Sequence, residues 1–120
     1  MDVLIVDDSR SMRMLIKRCM RQAGLSGLEI EEAGDGNEGL AKLKGSSGVK
    51  LILSDWNMTG MGGEQFAQCV RSEYPSLTLG FITSESSDDI RERATAAGAK
   101  FLLTKPFDAD GMAAALGQYL

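Results

Sequence analysis

Four short apolar runs in this chain end in residues able to handle charge. Val3-Leu4-Ile5-Val6 ends in Asp7-Asp8, Leu51-Ile52-Leu53 leads through Ser54 to Asp55, the run closing at Thr83 continues into Ser84, and Phe101-Leu102-Leu103 leads to Lys105. If the first and third runs are neighbouring strands, three carboxylates converge. Two such charges about 4 Å apart repel by about 4 kcal/mol at an effective dielectric of 20. Lys105 would offset part of that repulsion, and a divalent cation would offset the rest. An all-oxygen donor set with room for water suits Mg²⁺ or Mn²⁺ rather than zinc. With its charge neutralised in this way, a phosphoryl group could be attacked in line by Asp55. Thr83 and the Ser84 N–H would donate to its oxygens. Each residue alone also has a plainer role: a helix cap for Asp7 or Asp8, a strand end for Thr83, a solvated surface charge for Lys105. Their coincidence at successive strand ends favours the chemical reading.

Those residues need a frame. The apolar runs are short, continuous and rich in β-branched residues, as strands buried on both faces are. Between them the period changes. Met12, Leu15, Ile16, Cys19, Met20 and Ala23 form one helical face, with Arg10, Arg13, Lys17, Arg18 and Arg21 opposite and Gly24 as the stop. Strands are expected at 3–6, 28–33, 51–53, 77–83 and 101–103. Helices are expected to open at Ser9, at Asp35 with Glu38 three residues on, after Gly60-Met61-Gly62-Gly63, at Ser86 or Ser87, and at Asp108 or Asp110. The last is expected to pack Met112, Leu116 and Tyr119. Strict alternation of five strands and five helices implies α/β architecture, a doubly wound parallel sheet covered on both faces. In such sheets ligands sit beyond the carboxyl ends of the strands, where the charged residues fall.

Composition narrows the classes. The chain has 120 residues, 43% hydrophobic and 25% charged, which suits one domain over 1–120 with a real core. A formal net charge of −4 argues against nucleic acid as the main ligand. There is no His, which removes His-based triads and the common zinc sites. Cys19 and Cys69 have no pairing motif and are expected to be reduced core residues. No apolar run reaches the ~20 residues of a membrane span. No signal peptide is read at Met1-Asp2-Val3, and a cytoplasmic location is expected.

The motifs Leu4-Ile5-Val6-Asp7-Asp8-Ser9, Leu53-Ser54-Asp55-Trp56-Asn57-Met58, Thr83-Ser84, Ala97-Gly98-Ala99 and Lys105-Pro106-Phe107 together resemble the receiver domains of bacterial two-component response regulators, over nearly the whole length. The Asp-Trp-Asn-Met run is most similar to the chemotaxis (CheY-like) branch. The resemblance implies strand order 2-1-3-4-5. It implies phosphorylation of Asp55 by a histidine kinase, or by a small donor such as acetyl phosphate. It makes Asp7, Asp8, Asp55 and the Asn57 carbonyl the Mg²⁺ ligands, with Asp8 the more direct of the acid pair. Thr83 becomes the switch hydroxyl, Lys105 the phosphate-pairing lysine, and Lys105-Pro106 a cis bond. Asn57 and Glu85 match the pattern of members that dephosphorylate themselves quickly. Output is expected through a downstream partner on the face of the fourth helix, fifth strand and fifth helix, and the basic side of the first helix is a candidate surface for the kinase.

Two positions depart from the family pattern. Thr59 stands where Pro is frequent, which loosens the loop beside Asp55. Leu102 stands where an aromatic residue usually swings inward, and Phe101 next to it faces the other side of the sheet. The chemistry is expected to survive, and the aromatic readout is not. Three alternatives remain open from the sequence: a Mg²⁺-dependent phosphohydrolase of the haloacid-dehalogenase type, a flavodoxin-like FMN carrier, and a receiver module cut from a longer regulator.

Overall fold

Each apolar run is a strand because it can bury both faces, and each amphipathic stretch is a helix because it can bury only one. A computed structural model describes residues 1–120. Strands β1 (Val3–Val6), β2 (Ile30–Ala33), β3 (Leu51–Ser54), β4 (Leu79–Thr83) and β5 (Leu102–Thr104) alternate with helices α1 (Arg10–Gln22), α2 (Gly36–Lys44), α3 (Gly63–Glu73), α4 (Asp88–Ala96) and α5 (Ala109–Leu116). All strand pairs are parallel, in the order β2-β1-β3-β4-β5. The expected order and element count are those observed.

Alternation along the strands divides the core into two layers. Val3, Ile5, Leu51, Leu53 and Ile82 pack with Ile16, Cys19 and Met20 of α1 and Met112 and Leu116 of α5. Leu4, Val6, Ile52, Leu79 and Phe81 pack on the other side with Leu43 of α2, Phe66, Ala67 and Val70 of α3, and Ile90 and Ala94 of α4. Ser9, Asp35, Ser87 and Asp108 cap their helices, each side chain accepting a backbone N–H in the first turn. That settles Ser87 over Ser86 and Asp108 over Asp110. Gly24, at φ +84°, follows α1 in the left-handed conformation that favours glycine.

Several boundaries differ from expectation. β2 and β4 start two residues later, at Ile30 and Leu79. Gly27 turns at φ +78° before β2, and Leu77 N–H is used in a turn onto the Tyr74 carbonyl. β5 is shifted by one residue, to Leu102–Thr104. Cys69 is only half-buried, because it lies beside the Phe66–Val70 stripe rather than on it. Tyr119 falls in a 3-10 turn after α5 and stacks on Phe101, with centroids 5.6 Å apart.

Candidate functional site

The register brings the acids together. Val6 lies opposite Ser54, so the next residues, Asp7 and Asp55, leave adjacent strands side by side. The Asp55 N–H donates to the Val6 carbonyl at 2.9 Å and the Asp7 N–H to the Ala33 carbonyl at 3.0 Å. Thr83 lies opposite Thr104, and the Lys105 N–H donates to the Thr83 carbonyl at 2.7 Å. Backbone pairing therefore carries Asp7, Asp55 and Lys105 just past the sheet's carboxyl edge and leaves Thr83 at the last position of β4.

One oxygen from each of Asp7, Asp8 and Asp55 lies within 4.8 Å of the others. Lys105 Nζ sits 3.4 Å from Asp7 Oδ2 and 3.6 Å from Asp55 Oδ1. Asp7 is buried and already engaged, because its Oδ1 also accepts the Ser9 N–H at 2.9 Å and its carbonyl accepts Arg13 Nη1 at 2.6 Å. Asp8 is exposed, which leaves its carboxylate the freest of the three. Asp55 Oδ1 accepts the Trp56 N–H at 2.8 Å. Burial pushes the Asp55 carboxyl above the ordinary carboxylate range. Lys105 draws it back down, and Asp7 adds to the rise.

Thr83 is fully buried at the end of β4, and its Oγ1 accepts the Glu85 N–H at 3.3 Å. Ser84 is exposed beside it. Asn57 Nδ2 donates to Glu85 Oε1 at 2.5 Å, linking the loop after β3 to the loop after β4. The Lys105-Pro106 bond is cis. Leu102 packs with the layer of Phe81 and Ala94, whereas Phe101 packs with the opposite layer.

The donor set tests the metal expectation. Three carboxylates with no nitrogen or sulfur donor among them fit a hard divalent ion such as Mg²⁺. The site lies at the carboxyl ends of the strands. The largest cavity, about 520 Å³, lies at the other edge of the sheet between α3 and α4.

Glu32 was not foreseen as part of this region. It accepts Arg13 Nε at 2.9 Å and Lys17 Nζ at 2.7 Å, and Lys17 before Arg13 holds its carboxyl below the ordinary range. Two of the five basic residues of α1 are therefore turned onto β2, not into solvent. Glu64 and Arg93 were also missed. Nothing in the sequence pairs them, since they are 29 residues apart.

Comparison with known proteins agrees with this geometry. The response regulator receiver domain family matches residues 3–117. The chain is 36% identical over 116 residues to the probable chemotaxis protein CheY of Rhizobium etli, covering 95% of this chain and 88% of that protein. It is 35% identical to the chemotaxis protein CheY of Pseudomonas aeruginosa, over 91% of this chain and 87% of that one. The structure of Vibrio cholerae chemotaxis protein CheY4 superimposes with a TM-score of 0.87 at 36% identity, covering 99% of this chain and 98% of that one. The family match sets aside the phosphohydrolase and flavin-carrier alternatives. With motifs, strand order and family agreeing over nearly every residue, the chain belongs to the response regulator receiver domains, the signalling units of two-component phosphorelays.

Proposed function

We propose that Asp55 is the phosphoacceptor and that the 120 residues act as one receiver unit of a chemotaxis-type pathway in the cytoplasm. The observation that carries this reading is Lys105 Nζ between Asp7 and Asp55, 3.4 and 3.6 Å away, beside the exposed Asp8. An Asp55 oxygen forms a bond to phosphorus. The donor's P–N or P–O bond breaks, and its electron pair leaves with the donor. Lys105 pairs with the phosphoryl oxygens, and the Thr83 hydroxyl and the Ser84 N–H donate to them. Mg²⁺, held by Asp8, Asp55, the Asn57 carbonyl and Asp7, would supply further neutralisation of the phosphoryl charge. The chain thus assists its own phosphorylation without turning over a separate substrate.

The test is intact mass after incubation with acetyl phosphate and Mg²⁺. Gain of one phosphoryl group by the wild type and none by Asp55→Asn is expected; equal gain by both would remove Asp55 from the role. Trp56 stands next to Asp55 and is buried, so Mg²⁺ alone is expected to change its fluorescence. A flat titration would argue against the acid cluster as a metal site.

Loss of the phosphoryl group is expected within seconds to minutes. Asn57 and Glu85, hydrogen-bonded across the mouth of the site, match the fast self-dephosphorylating pattern. A lifetime of many hours for the isolated chain would contradict this.

The phosphodonor is a histidine kinase. On α1, Arg10, Arg18 and Arg21 remain exposed around the exposed Met14, whereas Arg13 and Lys17 are held by Glu32. The output partner is read at the α4-β5-α5 face, to which phosphorylation must give a different affinity.

A further inference from the structure

Arg93 of α4 gathers three groups from three parts of the chain. Its guanidinium carbon lies 5.5 Å from the centroid of the Trp56 ring. Its Nη2 and Nε donate to Glu64 Oε1 and Oε2 of α3 at 2.6 and 3.1 Å. Its Nη1 is 3.6 Å from Asp89 Oδ2, one turn back on α4. A planar fork can bind a carboxylate with two nitrogens while stacking on a ring, which a lysine cannot do.

Trp56 is also the residue whose N–H donates to Asp55 Oδ1, and its ring meets Phe81 edge-on at 5.0 Å. The Trp56 carbonyl accepts the Gly63 N–H at 2.9 Å, and Gly63 directly precedes Glu64 in α3. The contacts close a loop: Asp55 to Trp56, Trp56 to Arg93, Arg93 to Glu64, and back through Gly63 to Trp56. A change at the Asp55 carboxylate reaches Trp56 directly, through the N–H that Asp55 Oδ1 accepts. The ring then meets Arg93, and Arg93 belongs to α4. β5 leads into Lys105, whose Nζ lies 3.6 Å from Asp55 Oδ1, but Leu102 within the strand is aliphatic and has no polar atom with which to pass a change onward.

We propose that Arg93 is a positioning residue that ties α4 to the state of Asp55, with Trp56 as the link and Glu64 as the brace. This rests on Asp55 being the phosphoacceptor. The links are the Trp56 N–H on the Asp55 carboxylate and the Trp56 ring under the Arg93 guanidinium, and the ion pair with Glu64 keeps the guanidinium over that ring. The decisive measurement is the response of α4.

Hydrogen exchange of the α4 amides would be compared with and without acetyl phosphate and Mg²⁺, with phosphoryl content read by intact mass in the same samples. Wild type is expected to change its α4 protection on phosphorylation. Arg93→Ala is expected to take up the phosphoryl group equally and to lose that change. Arg93→Lys, which keeps the charge without the fork, is expected not to restore it. Glu64→Gln removes a charge and no bulk, and is expected to show a reduced response; it gives the same reading if Arg93→Ala misfolds. A wild-type-sized response in Arg93→Ala, full restoration by Arg93→Lys, or no α4 response in phosphorylated wild type would overturn the proposal and leave Asp55 as acceptor. No phosphoryl uptake by wild type would overturn both.

Discussion

Asp55→Asn is expected to lose phosphoryl uptake completely and yet to be more stable than the wild type at neutral pH, by about 1 kcal/mol. The first effect follows from chemistry: an amide oxygen or nitrogen is a poor nucleophile, and no other carboxylate is placed as Asp55 is. The second follows from electrostatics. Ionised Asp55 is buried, within 5 Å of two other carboxylates, and Lys105 at 3.6 Å is the one cation paired with it, helped by the Trp56 N–H. Repulsion of this order at an effective dielectric of 20 is a few kcal/mol, and Lys105 cancels most of it. A neutral isostere removes the remainder.

The pH dependence separates this from a packing effect. The folded-state pKa of Asp55 is raised, first by burial and then by Asp7. The folded chain therefore holds the Asp55 proton more tightly than the unfolded chain does. That contribution to stability is fully present below the ordinary Asp pKa and is lost as pH rises through the raised one. The gap between Asp55→Asn and wild type should be near zero below the ordinary Asp pKa and should open as pH rises above it. Urea unfolding of both proteins at several pH values measures it; a gap that is constant with pH would sink the electrostatic explanation.

Gly63→Ala is expected to destabilise the fold by about 2 kcal/mol and to impair phosphoryl uptake, although Gly63 is the first residue of a helix. Helix propensity favours alanine by at most about 1 kcal/mol. Space decides against it. A Cβ at Gly63 would lie 2.3 Å from the Asp55 carbonyl oxygen and 2.8 Å from the Trp56 Cα. Those are backbone atoms of the loop that carries Asp55, so no side chain can rotate to make room. Overpacking of this kind costs typically 1–3 kcal/mol. The displacement falls on Asp55 itself, so uptake of phosphoryl from acetyl phosphate should slow even where the variant is folded. Gly45→Ala is the control, since nothing lies within 4 Å of its Cβ. Thermal unfolding and uptake rates that match wild type in Gly63→Ala would show that the loop gives way freely.

Much of this site was legible beforehand, because strands buried on both faces read as continuous apolar runs and end abruptly where charge begins. Asp7, Asp8, Asp55, Thr83 and Lys105 could be named from that pattern, and the resemblance supplied the strand order and the roles proposed for them. The later starts of β2 and β4 were not legible, because Leu28 and Leu77 are as apolar as true strand residues; the left-handed turn at Gly27 and the Leu77 N–H bond to the Tyr74 carbonyl, not hydropathy, excluded them. The exposed-looking basic side of α1 misled for a related reason. Periodicity says which residues face away from a helix's own core, and it says nothing about Glu32 on β2 reaching across to Arg13 and Lys17.

By itself the sequence determined the number and kind of elements and which residues stand at the strand ends. These depend on local periodicity and on where each apolar run stops. Only the tertiary structure decided how charge is shared there: Asp7 spent on Lys105, Ser9 and its own loop, Asp8 left free, Asp55 pushed toward protonation, and Arg93 drawn across to Glu64 and Trp56. Those outcomes depend on distances of a few ångströms between residues far apart in the chain, and Coulomb and hydrogen-bond energies change over that same length.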